Sequence, residues 1–186
     1  MMYILAIVGS PRPKGNTNYL VDQALDEAAR LGATTEKIVV SEHKLNPCLA
    51  HTNCRSLAAC LQKDDGAWML DKFCSADGII LATPVYYYDT SAWLKTFIDR
   101  NYFLGRHGKK CKAKTVGMVV VSGGYGMEET VQSLHRFVNG SSFKAIAEDK
   151  RFIVTGIAVD LQDAKNDPQL TNQARELGKQ LVASLR

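Results

Sequence analysis

The sequence predicts a doubly wound α/β protein with a parallel sheet covered by helices on both sides. Short apolar runs rich in β-branched residues alternate with amphipathic helical segments along all 186 residues. The runs are almost continuously apolar rather than alternating, the pattern of strands buried on both faces. No internal repeat or low-complexity linker divides the chain, so a single domain spanning 1–186 is expected.

The first strand is read at 3–8. The helix after it, 18–31, carries Leu20, Val21, Ala24, Leu25, Ala28 and Ala29 on one stripe, and Gly32 is its stop. A second strand is read at 35–40. An irregular stretch follows from Ser41 to Asp65, long for a connection in a compact domain and therefore marked as functional. Asp64 and Asp65 are read as caps for a helix through Trp68, Leu70 and Phe73. The third strand, 78–82, is bounded by Thr83-Pro84. A helix over 91–102 buries Trp93, Leu94, Phe97 and Ile98, and the fourth strand, 115–121, is the most β-branched run in the chain. A helix carrying Val131, Leu134, His135 and Val138, a fifth strand at 152–159, and a closing helix at 169–185 with Pro168 at its start complete the pattern.

A net charge of +4 is too mild to indicate nucleic-acid binding. No apolar run is long enough to span a bilayer, and the start lacks the marks of a signal peptide. A cytoplasmic protein without membrane or nucleic-acid partners is expected. Five cysteines in that setting are expected as thiols rather than disulfides, with Cys74 a core residue and Cys111 incidental. The basic run from Arg106 to Lys114 reads as a solvated loop, or alternatively as a landing patch for the phosphates of a nicotinamide cofactor.

Three loops fall where strands end, and in doubly wound sheets ligands bind beyond the carboxyl ends of the strands. The first runs from Gly9 through Ser10, Pro11, Arg12, Pro13, Lys14, Gly15 and Asn16 to Thr17. A strand, a polar turn and a helix start make a phosphate cradle, because the first helical amides lack internal partners and sit at the positive end of the dipole. Ser10, Asn16 and Thr17 add polar donors, Arg12 adds a charged fork, and Gly15 lets the turn bend. The loop matches neither G-x-G-x-x-G nor G-x-x-x-x-G-K-[ST]. Its hydroxyl-rich character suits a terminal phosphate monoester such as that of FMN. The second loop, Thr83-Pro84-Val85-Tyr86-Tyr87-Tyr88, offers flat aromatic surfaces. The third, Ser122-Gly123-Gly124-Tyr125, lets backbone amides approach a ring edge. The three together form a candidate flavin site.

These segments also carry a family resemblance. Gly9-Ser10-Pro11-Arg12 with Gly15-Asn16-Thr17, the run from Ala76 to Tyr86, and the run from Leu94 to Arg100 resemble the NADPH-dependent FMN reductase family of the flavodoxin-like superfamily. The chain looks closest to its iron–sulfur flavoprotein branch. The resemblance implies a three-layer α/β/α fold with a five-stranded parallel sheet in flavodoxin order, and noncovalent FMN. It implies phosphate contacts at Ser10, Arg12, Asn16 and Thr17, and ring contacts around Pro84, Val85, Tyr86, Tyr87, Ser122, Gly123 and Gly124. It further implies NAD(P)H as co-substrate, and a small-molecule electron acceptor or a redox protein as the oxidising partner. A homodimer or homotetramer follows from the same resemblance, with Trp93, Lys95 and Arg100 at its interface. A non-enzymatic FMN electron carrier is the alternative function. No catalytic side chain is assigned, since the flavin itself carries the chemistry; His51 and His107 are the weak candidates for proton delivery.

The iron–sulfur branch carries four closely spaced cysteines. Here Cys48, Cys54 and Cys60 match, while His51 stands in the second position. A four-iron cluster prefers four thiolates, and these gaps match common zinc spacing poorly. A metal-free loop shaping substrate access is therefore preferred over a cluster at Cys48, His51, Cys54 and Cys60.

Overall fold

The computed structural model describes residues 2–140 and 142–186. Its sheet is built from β1 (Tyr3–Val8), β2 (Thr34–Val39), β3 (Gly78–Tyr86), β5 (Thr115–Ser122) and β6 (Arg151–Ile157) in the order β2-β1-β3-β5-β6, all parallel. This is the five-stranded flavodoxin order. A sixth strand, β4 (Asp89–Thr90), folds back antiparallel on the end of β3. The sequence reading ended the third strand at Ala82 because Pro84 follows; the strand runs on to Tyr86 and closes the hairpin instead.

The sheet divides the core into two. Leu5, Ile7, Ile79, Leu81, Val116, Met118 and Val120 face one side. There they pack under α2 (Gly66–Ser75), α3 (Ala92–Arg100), α4 (Tyr102–Arg106) and α5 (Met127–Val138). Ile4, Ala6, Val8, Ile80, Ala82, Val119 and Val121 face the other. They are covered by α1 (Asn16–Arg30) and α7 (Pro168–Leu185), with the short α6 (Asp163–Asn166) against both helices. Alternate residues of one strand thus serve opposite layers, which is why the strands read as continuous apolar runs.

Some expectations are corrected. The helix read at 91–102 is two helices meeting at Asn101, whose Nδ2 donates to the Phe97 carbonyl at 2.8 Å. Trp93, read as buried, is 38% exposed. Asp64 and Asp65 do not cap α2 in the usual way. Their carboxylates latch the neck of the preceding loop, accepting from the Asn46 and Lys44 amides at 2.9 Å each. Arg100, expected at an interface, is taken up inside the chain. Its side chain is 2% exposed and its ion pair is Asp64, whose side chain is fully buried, at 2.5 Å. Burial pushes the Asp64 carboxyl up, but bonds from Arg100 and from the Asn46 and Gly66 amides outweigh it and hold the group below the usual carboxylate range.

Candidate functional site

The carboxyl ends of β1, β3, β5 and β6 gather at one edge of the sheet and leave a cleft. Its lining includes Ser10, Arg12, Gly15, Asn16, Thr17, Pro84, Val85, Tyr86, Ser122 and Gly123. Residues of all three loops read from the sequence therefore meet around one cavity of about 180 Å³. It adjoins a groove of about 740 Å³ that shares Arg12, Val159 and Leu161, and a shallow recess of about 320 Å³ that shares Val85, Ser122 and Gly123. Alone the central cavity falls below the roughly 300–1,000 Å³ of ordinary ligand sites; joined to the recess it lies within that range.

The first loop is a self-bonded turn. The Arg12 carbonyl accepts from the Gly15 amide at 2.9 Å and from Asn18 Nδ2 at 3.0 Å, and Ser10 Oγ accepts from the Arg12 amide at 3.2 Å. The helix begins at Asn16, two residues before the expected start. Gly15 is its N-cap, and no side chain caps it. Its first amides are left open toward the cleft, the arrangement that suits an anion. Arg12 is exposed, and Thr17 is buried at the cleft floor. Asn16 differs from expectation. Its Nδ2 donates to the Asp160 carbonyl at 2.7 Å and its Oδ1 accepts from the Ala164 amide at 3.1 Å, so the side chain ties this loop to the one after β6.

The position of the first loop is set from beneath. Ser91 Oγ donates to the Gly9 carbonyl at 2.6 Å while accepting from the Leu94 amide at 3.2 Å, capping α3. A Cβ on Gly9 would lie 2.5 Å from the Leu94 Cβ and 2.7 Å from Ser91 Oγ, so only glycine permits this approach. Thr83, counted from sequence among the ligand contacts, has no exposed surface. Its Oγ1 accepts from the Ser91 amide at 2.9 Å and donates to the Pro84 carbonyl at 2.7 Å. It holds the support rather than the cleft wall.

The second loop turns at Tyr87 and Tyr88, both in the left-handed region at φ 48° and 64°. The hairpin therefore presents its aromatics at the rim; the Tyr87 side chain is 100% exposed and lines the recess with Gly124 and Tyr125. The third loop closes on itself. Ser122 Oγ accepts from the Gly124 amide at 3.0 Å and donates to the Tyr125 carbonyl at 2.5 Å. Gly126, at φ 78°, ends the loop where a Cβ would lie 2.7 Å from the Tyr88 Cα, locking the second and third loops together.

The sequence reading missed a fourth wall, Ala158, Val159 and Leu161. It placed Ala158 and Val159 inside the last strand, which ends at Ile157. The rule that ligands sit beyond strand ends would have found them had that end been set correctly. The basic run from Arg106 to Lys114 lies at the opposite edge of the sheet. The Lys112 and Lys114 amides donate to the carbonyls of Cys74 and Asp77, just before β3 begins, so the run does not border the cleft. His107 sits there too, its ring nitrogens 2.8 Å from the Phe103 and Leu57 carbonyls. It staples α4 to the cysteine loop.

That loop holds Cys54 buried and Cys48, His51 and Cys60 half-buried. Cys48 Sγ accepts from the Ala50 amide at 3.4 Å, and Cys60 Sγ accepts from Arg100 Nη2 at 3.5 Å. Among the described residues no three His, Cys, Asp or Glu side chains come together as a metal-holding group. As arranged, these four side chains are not gathered into a ligand set for a cluster.

A parallel sheet in 2-1-3-4-5 order, with an uncapped helix start and an aromatic rim at its switch point, defines a flavodoxin-like protein with a mononucleotide-type cleft. The chain belongs to the NADPH-dependent FMN reductase family, whose model matches residues 2–155, and is an FMN-dependent oxidoreductase. It is 38% identical over 186 residues to an iron–sulfur flavoprotein of Methanocaldococcus jannaschii, covering 97% of this chain and 96% of that one. An iron–sulfur flavoprotein of Archaeoglobus fulgidus is 34% identical over 176 residues, covering 94% and 80%. Among solved structures, an NAD(P)H:quinone oxidoreductase from Methanothermobacter marburgensis superposes with a TM-score of 0.76 at 15% identity, covering 97% and 96%. No described helix is long and apolar enough to cross a membrane.

Proposed function

We propose that the cleft holds FMN noncovalently, its phosphate in the first loop and its ring between the second and third. One observation carries this reading: an anion-ready helix start and an aromatic, glycine-lined rim belong to one continuous cleft. The residues fit the group. The α1 amides, the Thr17 hydroxyl and the Arg12 guanidinium supply donors at one end, the last being charge-assisted toward a phosphate. Pro84, Val85 and Tyr86 make one wall and Ser122 and Gly123 the facing one. When bound, FMN supplies the hydride and electron chemistry; the protein supplies placement and electrostatics. Ser122 takes up the Gly124 amide, so the Gly123 amide, which lines the cleft, is a backbone donor for a ring edge. The open groove beside Arg12 and Lys14 gives the co-substrate NAD(P)H or an acceptor room to reach the rim.

Arg12→Ala combined with Thr17→Ala is the direct test. FMN affinity, read by quenching of flavin fluorescence, should fall by at least a hundredfold, because a dianion loses its charged fork and its hydroxyl donor. Unchanged affinity would refute the cradle. The relatives' names favour a second reading, an electron-transfer flavoprotein acting on a redox partner. Steady-state NAD(P)H oxidation with a quinone separates the two: turnover establishes the reductase, and its absence from fully flavinylated protein establishes the carrier. A homodimer or homotetramer belongs to the same proposal, and sedimentation equilibrium decides it.

A further inference from the structure

Away from the cleft, two thiols that the flavin chemistry does not use lie side by side. Cys74 is in the last turn of α2 and Cys111 is in the connection leading to β5; their sulfurs are 3.1 Å apart. The backbones are held independently of that contact. The Lys112 amide donates to the Cys74 carbonyl at 3.0 Å, and the Cys111 amide to the Ser142 carbonyl at 2.7 Å. The two sulfurs are unequal. Cys111 is wholly buried, at 0% exposure, whereas Cys74 is half-buried. The hydrogen bond between them holds the Cys74 thiol below its ordinary range and pushes the Cys111 thiol up, with burial adding to the latter. Lys109 favours the Cys74 thiolate and Asp71 opposes it. The accessible sulfur is thus the nucleophile, and the buried one keeps its proton.

We propose that Cys74 and Cys111 form a reversible dithiol–disulfide couple oxidised by a hydroperoxide. The Cys74 thiolate attacks the terminal oxygen of the hydroperoxide; an S–O bond forms, the O–O bond breaks, and the departing alkoxide or hydroxide takes up a proton. The Cys111 sulfur then displaces water from the Cys74 sulfenic acid, its own proton leaving with that water. Two thiols lose two electrons, and the hydroperoxide is reduced to an alcohol or water. Bond formation needs the sulfurs to close by about 1 Å, to the ordinary length near 2.05 Å. The pair lies at the amino ends of the strands, across the sheet from the cleft, so the proposal does not depend on the flavin reading. The closed ring would span β3, β4, α3 and α4, the elements that carry one wall of the cleft.

The test uses the full-length protein, as purified with its cofactor, reduced with dithiothreitol and freed of reductant. It is exposed to hydrogen peroxide, blocked with N-ethylmaleimide and mapped by mass spectrometry without reduction. The expected result is a Cys74–Cys111 linkage, lighter by two hydrogen atoms and reversed by dithiothreitol. Full alkylation of both residues under an exposure that converts free cysteine wholly to cystine would overturn the proposal. So would sulfinic acid on Cys74 beside an alkylated Cys111, or pairing of either with Cys48, Cys54 or Cys60. Cys111→Ser should in addition leave Cys74 as a sulfenic acid captured by dimedone. If that variant does not fold, the mapping of the unaltered chain decides alone.

Discussion

Ser91 carries a load that its sequence position does not advertise. Its hydroxyl donates to the Gly9 carbonyl at the root of the first loop and accepts from the Leu94 amide at the start of α3, and no part of the residue is exposed. Ser91→Ala removes both bonds with almost no change of volume. Loss of the cap costs about 1 kcal/mol. Leaving the Gly9 carbonyl without that donor costs a further ~1–3 kcal/mol. The sum, about 2–4 kcal/mol, corresponds to a fall in Tm of about 5–15 °C for a chain of this length. Differential scanning fluorimetry of the apoprotein measures the first effect. The second is on ligand binding, since the loop that meets the phosphate would no longer be pinned. FMN affinity should drop about tenfold, equivalent to about 1.4 kcal/mol of reordering on binding. A Tm within about 2 °C of the parent, against the several degrees that ~1 kcal/mol produces, would show that the Ser91 bonds do not position the loop.

Further perturbations test other parts of the same account. Asp64→Ala leaves the buried Arg100 charge without its partner and should cost about 3–5 kcal/mol in urea denaturation; a loss under ~1 kcal/mol, the ceiling for exposed pairs, would refute the pairing. Because the folded Asp64 carboxyl titrates below its unfolded value, its contribution is complete above the unfolded pKa of about 3.9 and is lost as pH falls through the lower folded value. Acid titration of the Asp64→Ala variant should accordingly show a shallower fall in stability than the parent does. Tyr87→Asn with Tyr88→Gly relieves two left-handed residues in a two-residue hairpin and should raise stability by about 1–2 kcal/mol while weakening FMN binding. A lower denaturation midpoint would contradict the strain argument. Gly9→Ala, which forces a Cβ against Leu94 and Ser91, should abolish FMN binding in a protein still folded by circular dichroism; retained affinity would show that the close approach is not needed.

The sequence by itself determined the layers and the edge on which the cleft opens. Val116, Met118 and Val120 can be buried against one set of helices only if Val119 and Val121 are buried against another, so a continuous apolar run specifies a covered sheet. Local chemistry likewise announced the first loop, because an apolar strand, a polar turn and a helix start follow one another within a few residues. What tertiary structure decided is which polar groups are spent. Asn16 and Thr83 both read as ligand contacts in sequence, yet both are bonded inside the scaffold, and Arg100, expected at an interface, is buried against Asp64. The meeting of Cys74 with Cys111, 37 positions apart, was illegible, and the fourth wall at Ala158, Val159 and Leu161 was hidden only by a strand end set two residues too far. Periodicity reports only which face a residue turns to the core. Which distant backbone group then accepts its hydrogen bond depends on strand order and loop closure, and those exist only once the chain has folded.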